Sequence, residues 1–194
     1  MLNKTDRKFH WAWLSEHNDV LRHDMTVINK LLNAVKGNHF VDLGCFIGGF
    51  TAAMARVASK RDGMVYSIDL YKTTIDTPGN FYLEHMVHPC KEYFLENMAD
   101  EGLLPWIKLK EGCSWEYAND FNDESVDFIW IDADHHYSSV IQDIRAWYPK
   151  LKVGGIIAGH DYSDWGVEMA VREFFPYYMV HPTRNDVWSY RRSE

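Results

Sequence analysis

The chain has 194 residues, a net charge of −8 and 46% apolar residues, which is enough for one domain with a full core. The acidic balance argues against a general nucleic-acid-binding surface, because neutralising phosphates needs a basic face. Cys45, Cys90 and Cys113 fit no metal or disulfide spacing, no apolar run reaches membrane-spanning length, and the N-terminus lacks an apolar signal core. We therefore predict a reduced, cytoplasmic protein without nucleic-acid or membrane partners.

The first 36 residues are predicted to be helical, because apolar residues recur near helical spacing and Gly37 is a plausible stop. The start of this segment is rich in aromatic residues, namely Phe9, Trp11 and Trp13. The helix could pack on its own domain, pack on a second copy in a homo-oligomer, or act as a lid that excludes water from an active site. We predict a single domain in which residues 1–36 form a cap and residues 37–194 form the core.

Residues 39–51 form the pattern around which the chain is organised. Phe40, Val41 and Leu43 make the short apolar run of a covered parallel strand, and the residues from Thr51 onward favour a helix. Between them, Gly44 and Gly48 permit a tight turn that brings the backbone close to a ligand. A turn of this kind points free backbone N–H groups at whatever lies above the strand end.

Alternating strands and helices follow. The predicted strands end in polar residues: Asp69 follows strand 64–68, Asp132 follows strand 126–131, and His160 with Asp161 follow strand 156–159. Strand 106–110, two final strands at 178–181 and 187–190, and helices at 49–60, 91–101, 138–148 and 165–175 complete the pattern. This order predicts a doubly wound α/β sheet. Residues 70–90 are predicted as a loop for substrate recognition, with His85, His88 and Cys90 at its surface.

The motifs of the chain, in this order, resemble the class I S-adenosylmethionine (SAM) methyltransferases over residues 37–191. The spacing Asp42-x-Gly44-x-x-x-Gly48 resembles their first motif, whereas a dinucleotide fingerprint would need glycine at Phe46. Residues 132–135 and 154–161 are similar to motifs of the metal-assisted small-molecule O-methyltransferases, the catechol, caffeoyl-CoA and sugar groups. The resemblance implies a Rossmann-like methyltransferase fold: seven strands, mostly parallel, with a C-terminal antiparallel hairpin.

The resemblance also implies a SAM site. Asp42 and the Gly44 carbonyl would take the methionine ammonium and Asp69 the ribose hydroxyls, which fits an acidic residue 25 positions beyond Gly44. Gly112 would let the backbone approach adenine. The full implied set is Asp42, Gly44, Cys45, Phe46, Gly48, Asp69, Leu70, Gly112, Cys113, Ser114 and Asp132.

Asp132, His160 and Asp161 occupy the positions that hold a metal in the resembled group. The group usually has a carboxylate where His160 stands, and magnesium prefers oxygen ligands. One imidazole therefore indicates weaker magnesium binding, a softer metal such as manganese, iron or zinc, or no metal at all. Without a metal, His160 could itself act as the base.

His135 stands three residues after Asp132, where members of the resembled group often have a Lys or His general base; a surface histidine is the alternative. Asp134 and His136 are predicted to be structural. We predict methyl transfer from SAM to a hydroxyl of a small molecule, with His135 and His160 as the candidate catalytic residues. The competing hypotheses are a metal-independent N- or protein methyltransferase, a nucleotide-binding oxidoreductase and a non-catalytic SAM- or nucleoside-binding module.

Overall fold

The computed structural model describes residues 18–71, 90–183 and 186–193. Its helices are α1 (Asn18–Ala34), α2 (Gly49–Ser59), α3 (Cys90–Asp100), α4 (Ser114–Tyr117), α5 (Tyr137–Trp147) and α6 (Trp165–Phe174). Its strands are β1 (His39–Leu43), β2 (Met64–Asp69), β3 (Ile107–Glu111), β4 (Val126–Ile131), β5 (Leu151–Gly159), β6 (Met179–His181) and β7 (Val187–Arg191).

The strands form one seven-stranded sheet in the order β3-β2-β1-β4-β5-β7-β6, which confirms the predicted fold class. Strands β1 to β5 pair in parallel, and β7 runs antiparallel to both β5 and β6. One difference from the sequence prediction concerns β5, which begins at Leu151 instead of 156. Gly154, with a φ of 82°, and Gly155 lie within the strand, where the register against β4 shifts.

The period-two pattern of the strands sends alternate side chains to two helical layers. Phe40, Phe128 and Trp130 face a layer built from α1, α2 and α3, in which Ile28, Leu32, Met54 and Phe94 are fully buried. Val41, Ile129 and Ile131 face the opposite layer, where α5 and α6 contribute Ile144, Trp147 and Val171. Each face of the sheet is thus covered, as a parallel sheet requires.

The carboxyl ends of β1, β2, β4 and β5 meet at one edge of the sheet. Hydrogen bonds tie the residues that follow them together: Gly44 N donates to Ile68 O at 2.8 Å, and Asp132 N donates to Leu43 O at 2.8 Å. The chain crosses in opposite directions from β1 to β2 and from β4 to β5, so the β1/β4 boundary is the switch point where α/β sheets bind ligands.

Two predicted features lie outside the described residues: the ring-rich start of the N-terminal helix and most of the substrate-recognition loop at 70–90. Within the described ranges, none of the helices combines the length and the apolar character that crossing a bilayer demands.

Candidate active site

The turn after β1 is shaped by two glycines with left-handed backbone. Gly44 has a φ of 84°, and a Cβ added there would lie 2.1 Å from the Asp132 carbonyl oxygen. Gly48 has a φ of 95° and packs against Phe94 and Met98 of α3. Helix α2 starts directly after Gly48 without a side-chain cap, so the N–H groups of its first turn are available to a ligand. The turn therefore has the backbone geometry that the sequence predicts.

Asp42 lies beneath this turn with no exposed surface. Its Oδ2 accepts a hydrogen bond from the Thr51 hydroxyl, whereas Oδ1 has no partner among the described residues. Burial, opposed by the Thr51 bond, raises the pKa of Asp42 to about 7. The Asp42 carboxyl group thus links β1 to α2 through its hydrogen bond with Thr51. Its predicted contact with the methionine ammonium stays a prediction.

Asp69 ends β2 beside the turn, where the sequence predicts a ribose acceptor. Its two oxygens accept hydrogen bonds from the backbone N–H of Phe46 at 2.8 Å and of Tyr71 at 2.9 Å. Burial raises the pKa of Asp69 above its usual range, against the effect of these bonds. Each carboxylate oxygen has a second lone pair, so ribose hydroxyls can still donate to Asp69.

Tyr71 is a member of this site that sequence reasoning missed. Its hydroxyl donates to the Phe46 carbonyl at 3.0 Å and lies 3.3 Å from the Cys45 Sγ. Together with Asp69 it fixes the turn that follows β1, and Leu70 lies half-buried between them. The sequence gives only a weak signal for this role, because no pattern indicates that a tyrosine shortly after strand two supports the turn that follows β1.

The turn after β3 brings the predicted adenine residues next to β2. Gly112 N donates to Asp69 O at 2.9 Å, and a Cβ at Gly112 would lie 3.0 Å from the Tyr117 ring. Cys113 is half-buried at this turn, but the hydroxyl of the buried Ser114 donates to Asp143 Oδ1 in α5. The Ser114 hydroxyl therefore points into the helical layer that contains α5. The predicted contact of Ser114 with adenine stays a prediction.

Asp143 gives this part of the structure a pH dependence. Burial, with a smaller contribution from Asp134, raises its pKa to about 7 although the Ser114 hydrogen bond lowers it. Between pH 4 and 7 the folded protein then holds a proton that the unfolded chain releases, so the free energy of unfolding falls as the pH rises.

The Asp143→Asn variant carries a neutral amide that does not titrate in this range. As the pH rises from 5 to 8, its free energy of unfolding should increase by roughly 1 to 3 kcal/mol relative to that of the wild type. Urea unfolding at both pH values measures this, and a constant difference would contradict it.

Carboxylates and imidazoles converge at the ends of β4 and β5. Asp132, His135 and Asp161 each offer a ligand atom, and these atoms lie within 4.8 Å of one another. His135 Nε2 is 3.2 Å from Asp161 Oδ2 and 3.8 Å from Asp132 Oδ1. Asp161 has a left-handed φ of 53°, which aspartate tolerates better than most residues. Asp132 and Asp161, two of the predicted metal ligands, thus form a pair that faces His135.

His160 flanks the same carboxylate pair from the interior. Its Nδ1 is 3.1 Å from Asp161 Oδ2 and 3.9 Å from Asp132 Oδ1, and its side chain is 9% exposed. Burial lowers its pKa, but hydrogen bonds to Asp161 and Asp24 and the charge of Asp132 outweigh it and raise the pKa to about 11. The structure therefore brings the predicted third ligand to the cluster, with Nδ1 directed at the two carboxylates.

His135 and its neighbour His136 differ in their surroundings. The side chain of His135 is 40% exposed at the carboxylate pair, and the neighbouring carboxylates of Asp132 and Asp161 raise its pKa against the effect of burial. His136 is 67% exposed and its Nδ1 lies 2.7 Å from Asp134 Oδ1, which also accepts from the His136 backbone. His135 alone of these two histidines belongs to the site, and the Asp134–His136 pair supports the start of α5.

Asp24 of α1 is a member of the cluster that sequence reasoning missed. Its fully buried carboxylate lies 3.1 Å from His160 Nε2. The sequence contains a signal for it, because Asp24 shares the helical stripe of Ile28 and Leu31, where an apolar residue is expected.

The polar groups at this edge of the sheet fit both ligands that the sequence resemblance implies, SAM and a divalent cation. An uncapped helix start, the Asp69 carboxylate and the close packing at Gly112 suit a nucleoside with a charged tail. Two carboxylates and one or two imidazoles suit a divalent cation of the manganese type as well as magnesium.

Comparisons with known proteins identify the family of the domain. Residues 41–162 match the model of a methyltransferase domain family. A protein of Sinorhizobium fredii, described as uncharacterized protein y4gI, is 25% identical over 133 residues, which are 68% of this chain and 14% of that protein. The chain thus spans about one seventh of that relative.

Two similar solved structures show the fold alone. A candidate rRNA methylase from Clostridium thermocellum has a TM-score of 0.68 and 14% identity, covering 91% of this chain and 97% of that one. A SAM-dependent O-methyltransferase from Thermotoga maritima has a TM-score of 0.59 and 15% identity, covering 88% and 65% respectively.

The seven-stranded sheet has the Rossmann-like fold of the class I methyltransferases. The family match covers more than half of the chain, so this chain belongs to the methyltransferase domain family.

Proposed function

We propose that the protein transfers the methyl group of SAM to a hydroxyl group of a small molecule, assisted by a divalent cation. The observation that carries the proposal is the convergence of Asp132, His135 and Asp161 within 4.8 Å, next to the glycine turn after β1. Such a cluster at the carboxyl ends of β4 and β5 lies where an acceptor would meet the methyl donor.

The residues of the cofactor side would hold and orient SAM. Asp69 would accept from the ribose hydroxyls, the backbone at Gly44, Cys45, Phe46 and Gly48 would hold the methionine part, and Leu70 with the turn at Gly112 and Cys113 would hold adenine. When bound, SAM supplies a methyl group on a good sulfonium leaving group. The chain's task is to hold the acceptor oxygen, methyl carbon and sulfur in line.

On the acceptor side the difficulty is the hydroxyl proton, whose pKa is far above 7. Asp132 and Asp161, with His160 behind them, would hold a magnesium or manganese ion, which when bound stabilises negative charge on the acceptor oxygen. His135 is the proposed base, because it is the more exposed histidine and lies at the rim of the carboxylate pair. The acceptor oxygen gains the methyl carbon as the carbon–sulfur bond breaks, and its proton goes to His135.

The small size of the acceptor is supported by the net charge of −8, which disfavours phosphate-rich partners. One of the similar structures is described as a candidate rRNA methylase, so RNA is the competing acceptor. A metal-independent N- or protein methyltransferase and a non-catalytic SAM-binding module are competing hypotheses for the function, and a homo-oligomer remains a prediction.

A transfer assay tests the proposal. The protein is incubated with methyl-labelled SAM and, separately, with a catechol, a monophenol, a sugar, an amine and total RNA. We expect label in a hydroxyl acceptor, stimulation by magnesium or manganese, and loss of transfer with a chelator. Label only in the amine or RNA would contradict the acceptor class, and full activity in chelator would contradict the role of the cation.

A further inference from the structure

Helix α1 reaches the active site through one buried carboxylate. Asp24 is completely buried, and its Oδ2 accepts a hydrogen bond from His160 Nε2 at 3.1 Å. Its Oδ1 is buried with no partner among the described residues. An acid held in an apolar layer with half its hydrogen-bonding capacity unused costs stability, so its presence calls for a role other than packing.

The surroundings of His160 leave its ring little freedom. The ring centroid lies 5.8 Å from that of Phe50 and 6.4 Å from that of Trp130. The Asp24 bond at Nε2 and the Asp161 contact at Nδ1 fix its two edges. Both ring nitrogens are thus engaged by carboxylates, one from α1 and one from the carboxyl end of β5.

Helix α1 is itself firmly attached. Ile28 and Leu32 are buried in the layer that contains Trp130, and the carbonyls at the end of α1 accept hydrogen bonds from two arginines. Arg61 donates to Val35 O at 2.9 Å, and Arg191 donates to Ala34 O at 3.1 Å. Asp24 is therefore positioned by a packed helix and not by a loop.

We infer that Asp24 is a positioning residue, which keeps the proton of His160 on Nε2 and so leaves Nδ1 directed at Asp132 and Asp161 as the atom available to a divalent cation. The inference rests on the proposed cation site. A histidine that ligates a metal commonly donates its other ring N–H to a carboxylate, and loss of that carboxylate commonly weakens metal binding. On this account α1 belongs to the active site, beyond its part in covering the sheet.

Three variants test the inference. Asp24→Leu removes the acceptor but suits the apolar face of α1, so the helix should stay packed. Asp24→Asn keeps an oxygen that can accept from Nε2. Asp127→Asn is the matched control, since Asp127 is a buried carboxylate at the opposite end of β4, held by the backbone N–H of Asn38 and His39 and by Lys152.

The first measurement is the nitrogen NMR spectrum of the His160 ring without metal, assigned with His160→Gln. We expect an Nε2 proton protected from exchange in the wild type, Asp24→Asn and Asp127→Asn. In Asp24→Leu, where Nε2 has lost its acceptor, we expect this proton to exchange at least 10-fold faster or to leave Nε2 for Nδ1, beside Asp161. An unchanged Nε2 proton in Asp24→Leu would overturn the inference.

The second measurement is manganese affinity by calorimetry. Asp24→Leu should bind manganese about 10- to 100-fold more weakly than the wild type, whereas Asp24→Asn should recover most of the affinity and Asp127→Asn should retain it. S-adenosylhomocysteine affinity should stay unchanged throughout. Equal manganese affinity in Asp24→Leu and the wild type would overturn the inference while leaving the cation site intact. A wild type that binds no manganese would instead contradict the proposed cation, and the ring proton would still decide the role of Asp24.

Discussion

Replacing His135 by alanine is expected to lower kcat about 100- to 10,000-fold while S-adenosylhomocysteine affinity stays unchanged. The reason is that His135 faces Asp161 at 3.2 Å on the exposed side of the carboxylate pair. Removing the side chain removes the acceptor's proton route but none of the proposed SAM contacts. Steady-state kinetics with the acceptor identified in the transfer assay, beside calorimetry with S-adenosylhomocysteine, measures both parts.

His136→Ala is the matched control for this substitution. His136 is the adjacent residue, but it lies 67% exposed against Asp134, so its loss should leave kcat within a few-fold of the wild type. Manganese affinity then separates the two roles open to His135. Unchanged affinity in His135→Ala identifies a base, whereas weaker binding identifies a ligand, as the distances among Asp132, His135 and Asp161 also allow. Turnover that survives in His135→Ala would contradict both roles.

Asp69→Ala is expected to weaken S-adenosylhomocysteine binding by about 100-fold or more. A carboxylate that accepts from two ribose hydroxyls makes charge-assisted hydrogen bonds, each worth about 1.5–3 kcal/mol. The substitution also releases the backbone N–H of Phe46 and of Tyr71, so the turn after β1 loses part of its support. Calorimetry of the variant against the wild type gives the change in affinity.

Asp120→Ala serves as the control for a lost carboxylate. Asp120 is 55% exposed and pairs only loosely with Lys110 at 3.4 Å, so its removal should change neither cofactor affinity nor the melting temperature. A thermal melt of Asp69→Ala separates a damaged turn from a lost ligand contact. Wild-type affinity in a folded Asp69→Ala variant would show that Asp69 does not hold the ribose.

The fold can be predicted from the sequence because each strand carries its own signal. Phe40, Val41 and Leu43 make β1 largely apolar, and the apolar run from Phe128 to Ile131 in β4 ends at Asp132. Parallel strands bring those ends to one edge, which is why Asp132, His160 and Asp161 are both predicted together and found together. The predicted start of β5 is five residues too late, since Gly154 and Gly155 indicate a turn although the structure holds them in the strand.

The directions of individual side chains cannot be read in the same way. Ser114 follows β3 as predicted, but its hydroxyl turns towards Asp143, 29 residues away in sequence, and no local pattern encodes that contact. Asp42 lies in the expected position, yet it faces Thr51 beneath the turn. The contact between Asp24 and His160 joins residues that are 136 positions apart in the sequence, so only the packed tertiary structure reveals it.

Calorimetry of the wild-type protein with S-adenosylhomocysteine and, separately, with NADH decides whether the edge of the sheet above β1 and β2 holds SAM. We expect S-adenosylhomocysteine to bind with a roughly micromolar dissociation constant and NADH not to bind, because Phe46 stands where a dinucleotide turn needs glycine. Binding of NADH without binding of S-adenosylhomocysteine would identify a dinucleotide site instead and would rule out the proposed methyl transfer.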